Sequence, residues 1–160
     1  MLIGVPGSGK STWVKKQWEN DEQGNPIVKF YLISTDGYIE SVAKASNKTY
    51  NDVFQDAFKD AEKFMNSNLS IALERQSDIV WDQTNVTKKS RAKKLAKIPK
   101  YYRKIALLFQ VDYDTLIKVN NERKKIGRSI PYNILQSMYN TIEAPTLDEG
   151  FDEIIKVERE

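Results

Sequence analysis

The feature that most constrains the fold of this chain is the stretch GVPGSGKST at residues 4–12, which follows the apolar residues Leu2 and Ile3. It has the spacing Gly-x-x-x-x-Gly-Lys-Ser, in which glycines let backbone N–H groups turn inward around phosphate oxygens. The positive end of the helix that follows such a loop adds to the attraction for anions. Because a loop of this kind joins a strand to a helix, the stretch predicts a domain that binds a nucleotide polyphosphate.

The residues of this loop have distinct predicted roles. Lys10 reaches the β- and γ-phosphates of a bound nucleotide, and the hydroxyl of Ser11 is placed to coordinate Mg²⁺. The residues that we expect to bind the nucleotide are Gly7, Ser8, Gly9, Lys10, Ser11 and Thr12. The loop alone does not indicate which group, if any, receives a phosphate.

Hydrophobic patterns along the chain predict an α/β fold. Strands are predicted at residues 1–3, 27–34, 78–81, 104–111 and 153–157, and helices at residues 11–18, 51–75, 114–124 and 132–141, with a further helix between the third and fourth strands. Alternating strands and helices imply a parallel sheet with ligands at the carboxyl ends of its strands. Three residues before the loop suffice as a strand if that strand is central and its neighbours bury it.

Composition limits the chemistry that this chain can perform. Its 160 residues fit one domain, 1–160, and cysteine and histidine are both absent. Disulfides, thiolate nucleophiles and Cys-based zinc sites are therefore excluded, and proton transfer near neutral pH must fall to a carboxylate, Lys or Tyr. No apolar run approaches the roughly 18 residues of a membrane span, and no secretory signal is evident. We therefore expect a cytoplasmic (intracellular) protein without a membrane partner.

Two carboxylates follow predicted strands. Asp36 comes after the second strand, where it can accept a proton from an acceptor hydroxyl and align that oxygen with the γ-phosphorus. The alternative is that Asp36 only caps the next helix. Asp82 ends the third strand and can hold Mg²⁺ through water. Thr84 and Asn85 can hydrogen-bond an acceptor or fix the loop, although Asn85 is also a common turn residue.

Basic residues are concentrated in two segments. The segment ERKKIGRSIP at residues 122–131 lies between two predicted helices, and its Lys and Arg residues are placed to close over a triphosphate as a lid, with Gly127 giving mobility. A salt-bridged surface helix is the competing interpretation. Residues 88–104 contain many Lys and Arg residues and no acid. They form either a solvated helix face or a surface for a polyanion.

These motifs, in this order, resemble the 5′-polynucleotide kinase family. The resemblance rests on GVPGSGKSTW, the Asp after the second strand, D-x-T-N followed by Ser90-Arg91-Ala92, Asn120-Asn121, Ile130-Pro131, the helix LQSMYNTI and the tail EAPTLDEGF at residues 143–151. It covers nearly the whole chain. It implies a P-loop kinase fold, in which helices flank a central parallel sheet of about five strands and a helical lid covers the site.

The resemblance also implies an activity, which is the ATP-dependent phosphorylation of the 5′-hydroxyl end of DNA or RNA in nucleic-acid end repair, with Mg²⁺ as cofactor. Asp36 matches the family's general base. The resemblance implies that Lys10, Asp36 and an arginine of the lid are the catalytic residues. Four basic residues of this chain lie near the position of the family's lid arginine in the sequence, and they are Arg123, Lys124, Lys125 and Arg128. We expect the two arginines among them to be catalytic. The positions that match acceptor-binding elements are Asp36, Asp82, Thr84, Asn85 and Arg91, and the metal positions are Ser11 and Asp82.

The chain also departs from the family pattern. Thr35 and Ile39 stand where a phage member of that family has arginines, so we expect acceptor phosphate contacts from the basic stretch at residues 88–104. The D-x-D-G-T signature of a phosphatase domain and a ligase lysine motif are both absent, so we expect neither domain. Two alternatives stay open, which are a kinase of the same architecture that acts on a sugar or antibiotic and a nucleotide-operated switch without transfer activity.

Overall fold

The strands at the centre of the fold lie parallel to one another. In this computed structural model, which describes residues 1–20, 22–24, 26–27 and 30–158, the strands are β1 Leu2–Ile3, β2 Glu19–Asn20, β3 Pro26–Ile27, β4 Tyr31–Ile33, β5 Ile79–Trp81, β6 Ile105–Gln110 and β7 Glu153–Glu158. The strands β1, β6 and β7 form one parallel sheet, and β4 pairs in parallel with β5. A single bridge between Leu2 and Asp82 joins the two parts, so the described strands run in the order β4-β5-β1-β6-β7.

The first strand is short but central. Leu2 is 1% exposed and Ile3 is fully buried, because β6 pairs with β1 on one side and the end of β5 approaches it on the other. Neighbours on both sides supply the backbone partners and the apolar cover that a two-residue strand cannot supply alone. The expectation that a short strand suffices before the loop if it is central is therefore confirmed.

The helices flank these strands. They are α1 Lys10–Lys16, α2 Asp36–Ala45, α3 Tyr50–Glu74, α4 Lys88–Leu95, α5 Tyr113–Lys125 and α6 Tyr132–Thr141, and a 3-10 turn spans Leu147–Glu149. The longest, α3, begins with a capping box in which Thr49 and Asp52 satisfy each other's backbone N–H groups. Its buried stripe packs on α2 near its start and on β4 and β5 near its end. The predicted α/β class, with helices around a parallel sheet, is confirmed. None of the described helices combines the length and apolar character needed to cross a membrane.

Two predicted features differ from the structure. The second strand, predicted at residues 27–34, is observed as β4 at Tyr31–Ile33, whereas Ile27 pairs antiparallel with Glu19 in a short hairpin. Residues 28 and 29 lie outside the described part of the chain. The sequence patterns also missed α2, because only Ile39 and Ala43 on that helix are buried and Gly37 lies in its first turn.

The tail at residues 143–151 is anchored to the end of β5 through Arg91. The Arg91 side chain is fully buried, and its Nε and Nη2 atoms donate to the two carboxylate oxygens of Glu149 over 2.7 and 2.8 Å. Its Nη1 atom donates to the carbonyl oxygens of Asn85 and Glu143, each over 3.0 Å. One guanidinium therefore joins α4, the loop after β5 and the tail.

We predict that Arg91→Ala lowers the free energy of unfolding by about 3–5 kcal/mol, because it leaves the Glu149 carboxylate and two carbonyl oxygens without their partner. Urea denaturation followed by circular dichroism measures this change. The matched control is Arg103→Ala, which removes an exposed 2.5 Å ion pair with Glu153 and should cost less than about 1 kcal/mol. Equal losses in the two variants would contradict a structural role for Arg91.

Candidate active site

The loop between β1 and α1 has a backbone that requires glycine. Gly7 and Gly9 have φ angles of +88° and +105°, which residues with a side chain rarely adopt. A Cβ atom at Gly4 would lie 2.5 Å from the Ser8 hydroxyl oxygen. That hydroxyl is fully buried and has no hydrogen-bond partner among the described residues. The glycine backbone and the unpaired buried hydroxyl fit a loop that closes around phosphate oxygens.

Lys10, the first residue of α1, is folded back onto the loop. Its Nζ atom donates to the carbonyl oxygens of Gly4 and Val5 over 2.7 and 3.0 Å. Burial lowers the pKa of Lys10 to about 8, although the carboxylates of Asp82 and Asp36 act in the opposite direction. The ammonium group therefore lies in a partly desolvated position that it shares with the two carboxylates predicted for the site.

Asp36 turns its carboxylate toward the segment between α5 and α6. The N-cap of α2 is Thr35, so capping is not the role of the Asp36 side chain. The Tyr50 hydroxyl donates to Oδ1 over 2.8 Å, and Nη2 of Arg128 donates to Oδ2 over 2.7 Å. Burial and the neighbouring Asp36 raise the pKa of Tyr50, which keeps its hydroxyl protonated as a donor. Each oxygen of this carboxylate therefore has a partner from a different element.

Arg128 holds the segment at residues 122–131 over Asp36. Its guanidinium lies 4.6 Å from the centre of the Tyr50 ring, and its Nη1 atom donates to Glu40 on α2. At Gly127, which has a φ angle of +64°, a Cβ atom would lie 2.4 Å from Thr49. The segment therefore rests directly on the start of α3, with room there for glycine alone. We call residues 122–131 the lid.

Hydrogen bonds from two helices hold the second half of the lid. Asn120 is buried on α5 and exchanges two bonds with Ile130, through its Nδ2 atom over 2.8 Å and its Oδ1 atom over 2.9 Å. Asn51 on α3 donates from its backbone to Gly127 over 3.0 Å and from its side chain to Ser129 over 2.9 Å. The backbone of the lid thus has defined contacts with both α3 and α5.

The four basic residues of the lid point in different directions. Lys124 and Lys125 are exposed, and Lys125 pairs with a glutamate three residues earlier over 2.5 Å. Arg123 is partly buried, and its Nε atom donates to the carbonyl oxygen of Arg128 over 3.0 Å. The charge of Arg123 also lowers the pKa of Lys10, as expected for a guanidinium near the phosphate loop. The structure therefore directs the two arginines, and not the two lysines, toward the site.

The residues after β5 divide into one that faces the site and others that hold the loop. Burial raises the pKa of Asp82, and the positive charge of Lys10 opposes that rise, which places the two groups within electrostatic reach. The Thr84 carbonyl oxygen accepts a 2.9 Å bond from the N–H of Gly4. Asn85 is 1% exposed, has a φ angle of +49°, and donates to Leu2 over 2.7 Å. Asn85 and the backbone of Thr84 therefore fasten β5 to the phosphate loop.

The burial of Arg91 leaves no part of its side chain accessible to an acceptor strand. Its donors are directed at Glu149, Asn85 and Glu143, so the structure gives it a structural function. Arg91 and Asn85 are both buried and therefore lie outside any surface that could contact an acceptor, contrary to the expectation from the family resemblance.

The residues at the site fit Mg²⁺ that arrives with a nucleotide. Among the described residues, no group of three or more acidic, Cys or His residues could form a metal cage. Mg²⁺ at phosphoryl-transfer sites needs one or two protein oxygens, and phosphates and water complete its shell. The Ser11 hydroxyl beside Lys10 and the Asp82 carboxylate are oxygen ligands of this kind.

Sequence reasoning missed Tyr50 and Glu40, which contact the same site. Tyr50 begins a helix 14 residues after Asp36, and Glu40 lies one turn after Asp36 on α2. No local pattern distinguishes them from other polar residues on helices. They become visible only when α2 and α3 are packed together.

We predict that ATP binding, measured without divalent cations, weakens as the pH rises above about 8. The Lys10 ammonium is charged in the free protein below that pH, and above it must take up a proton to contact the phosphates, which costs up to about tenfold in affinity per pH unit. Calorimetric titration measures both the affinity and the proton uptake. In Lys10→Arg the charge persists and the pH dependence should disappear. A flat wild-type profile would contradict the expected role of Lys10.

Comparison with known proteins supports the fold and assigns the family. A Chloroflexus aurantiacus j-10-fl protein, described provisionally as a kinase, has a crystal structure that superposes with a TM-score of 0.66. The match covers 98% of this chain and 82% of that one at 15% sequence identity, so the likeness shows a P-loop kinase-like fold. A family model described as an AAA domain matches residues 1–145. This chain therefore belongs to the AAA_33 family of AAA domains.

Proposed function

We propose that this protein is a kinase that transfers the γ-phosphate of ATP to the 5′-hydroxyl end of DNA or RNA. The observation that carries the proposal is the position of Asp36, whose carboxylate lies at the carboxyl end of β4 within electrostatic reach of Lys10 and Asp82. A nucleotide switch needs no such carboxylate, whereas a kinase needs one to accept the acceptor proton. The P-loop kinase-like fold agrees with a phosphotransferase.

In the proposed reaction, Asp36 receives the proton of the 5′-hydroxyl as that oxygen attacks the γ-phosphorus. The new oxygen–phosphorus bond forms, the bond from the γ-phosphorus to the bridging oxygen breaks, and ADP leaves. Lys10 exchanges the carbonyls of Gly4 and Val5 for phosphate oxygens. Bound Mg²⁺ would neutralise charge on the β- and γ-phosphates, and Ser11 and Asp82 are the residues that would hold it.

The lid supplies the remaining positive charge. Phosphoryl transfer spreads negative charge over the equatorial oxygens, and a guanidinium near them stabilises the transition state by several kcal/mol. Arg123 is the candidate for this charge because it already acts on Lys10, whose pKa it lowers. Arg128 contacts Asp36 instead, and its bond to Oδ2 takes up one of the acceptor positions on the carboxylate that would bind the 5′-hydroxyl.

We predict that Asp36→Asn reduces kcat for phosphate transfer to a 5′-hydroxyl oligonucleotide by about 10²- to 10⁴-fold, because an amide cannot accept the proton. ATP affinity should change little, and radiolabelled ATP measures both transfer and binding. The matched control is Glu40→Gln, which removes the other carboxylate that pairs with Arg128. Full activity in Asp36→Asn would refute the assignment. Transfer to sugars or antibiotics, with none to oligonucleotides, would favour the small-molecule alternative.

We also predict that Arg123→Gln lowers kcat by about 10²- to 10³-fold and leaves the acceptor KM nearly unchanged, because the lost interaction is with the transferring phosphoryl group. Steady-state kinetics at saturating ATP separate the two parameters. Lys125→Gln is the control, since it removes one positive charge from the exposed side of the same helix. Equal losses in both variants would indicate a general charge effect and contradict a specific role for Arg123.

A further inference from the structure

A groove with a volume of about 380 Å³ lies between α3 and α4, beside the carboxyl end of β5. Met65 on α3 and Trp81 on β5 form its apolar floor. Its rim is formed by α4 and the turn that follows it. The lysines on that rim are Lys89, Lys93, Lys94 and Lys97. The groove thus combines an apolar floor with a strongly basic rim.

The positive charge of this rim is not neutralised within the groove. Glu62 is the one acidic residue among those that line it. Lys89 and Lys93 are exposed, and their side chains make no hydrogen bond or ion pair among the described residues. Lys97 donates to the amide oxygen of Asn66 over 3.1 Å, which leaves its charge unpaired. A polyanion would find several free ammonium groups on one side of the groove.

Lys94 distinguishes this surface from an ordinary solvated helix face. Its Nζ atom lies 5.8 Å from the centre of the Trp81 ring and also donates to Asn85. Burial and the neighbouring charge of Lys97 lower the pKa of Lys94 to about 8. Solvated lysines normally extend away from one another, whereas these two lie close enough to interact electrostatically. An anion between them would relieve that repulsion.

The groove also borders the candidate active site. Gln83, which lines it, stands between Asp82 and Thr84 and accepts a 3.1 Å bond from the Trp81 indole N–H. Lys94 contacts Asn85, which in turn donates to the strand that carries the phosphate loop. A chain whose end lies at Asp36 therefore has a basic, partly apolar path leading away from the site past the end of β5.

We propose that this groove binds the single-stranded part of the acceptor just downstream of its 5′ end, with Lys89 and Lys93 on the phosphates and the apolar floor under a base. The proposal rests on the kinase function proposed above. The volume is near the lower end of the range for small-ligand pockets, which suits one or two unpaired nucleotides better than the width of a double helix. Basic grooves with an apolar floor are the usual way to bind single strands without sequence preference.

The test is a binding and length series with the double variant Lys89→Ala/Lys93→Ala. In fluorescence anisotropy with a 3′-labelled oligothymidylate, we expect about tenfold weaker binding at low salt and a salt slope smaller by about 1.4, as for two lost phosphate contacts on a single strand. In kinetics with acceptors from about 2 to about 12 nucleotides, the wild-type KM should fall with length, and the variant should lose that fall.

The matched control is Lys15→Ala/Lys156→Ala, which removes two exposed lysines on α1 and β7, away from the groove. It should bind and phosphorylate oligonucleotides like the wild type. Equal losses in both double variants, no loss in the groove variant, or a preference for duplex over single strands would each overturn the groove proposal. If the wild type binds the oligonucleotide through these lysines but transfers no phosphate, the groove proposal is supported and only the kinase function is refuted.

Discussion

The rest of the structure depends on how a strand of two residues holds the phosphate loop. Leu2 and Ile3 cannot fix the loop by themselves, so their neighbours do it. The Asn85 side chain donates to Leu2, and the N–H of Gly4 donates to Thr84, which fastens the loop to the end of β5. Asn85 in turn is held by Arg91, whose other partners lie in the tail. The segments after β5 and after α6 therefore support the loop as much as β1 does.

Much of the fold could be predicted from local patterns, and the exceptions have physical causes. The run at residues 104–111 is so apolar that β6 was unambiguous, and the stripe of α3 gave its position to within a residue at each end. By contrast, α2 buries few side chains, so its pattern is weak. The family resemblance predicts acceptor contacts for Arg91, but the burial of this side chain depends on Glu149, which is 58 residues away and invisible to local patterns.

The candidate site was more predictable in its centre than at its edges. Asp36 and Asp82 follow strands, and a parallel sheet brings the ends of its strands together, so their proximity to Lys10 was expected. The sequence could not distinguish the four basic residues of the lid, because their directions depend on how α5 ends and how the lid packs on α3. The same packing brings Tyr50 to Asp36, and no spacing rule connects those two positions.

Two arginine–carboxylate pairs in this protein differ in their exposure to water. The Arg91–Glu149 pair is almost completely buried, so separating it would leave charges without water or a partner. The Arg128 and Asp36 side chains are 22% and 42% exposed, so water can replace either partner at small cost. In the proposed reaction the phosphates of ATP compete with Asp36 for Arg128. ATP binding would then weaken the bond between Arg128 and Asp36 and make the carboxylate a better proton acceptor, which links the two substrate sites through one exchangeable ion pair.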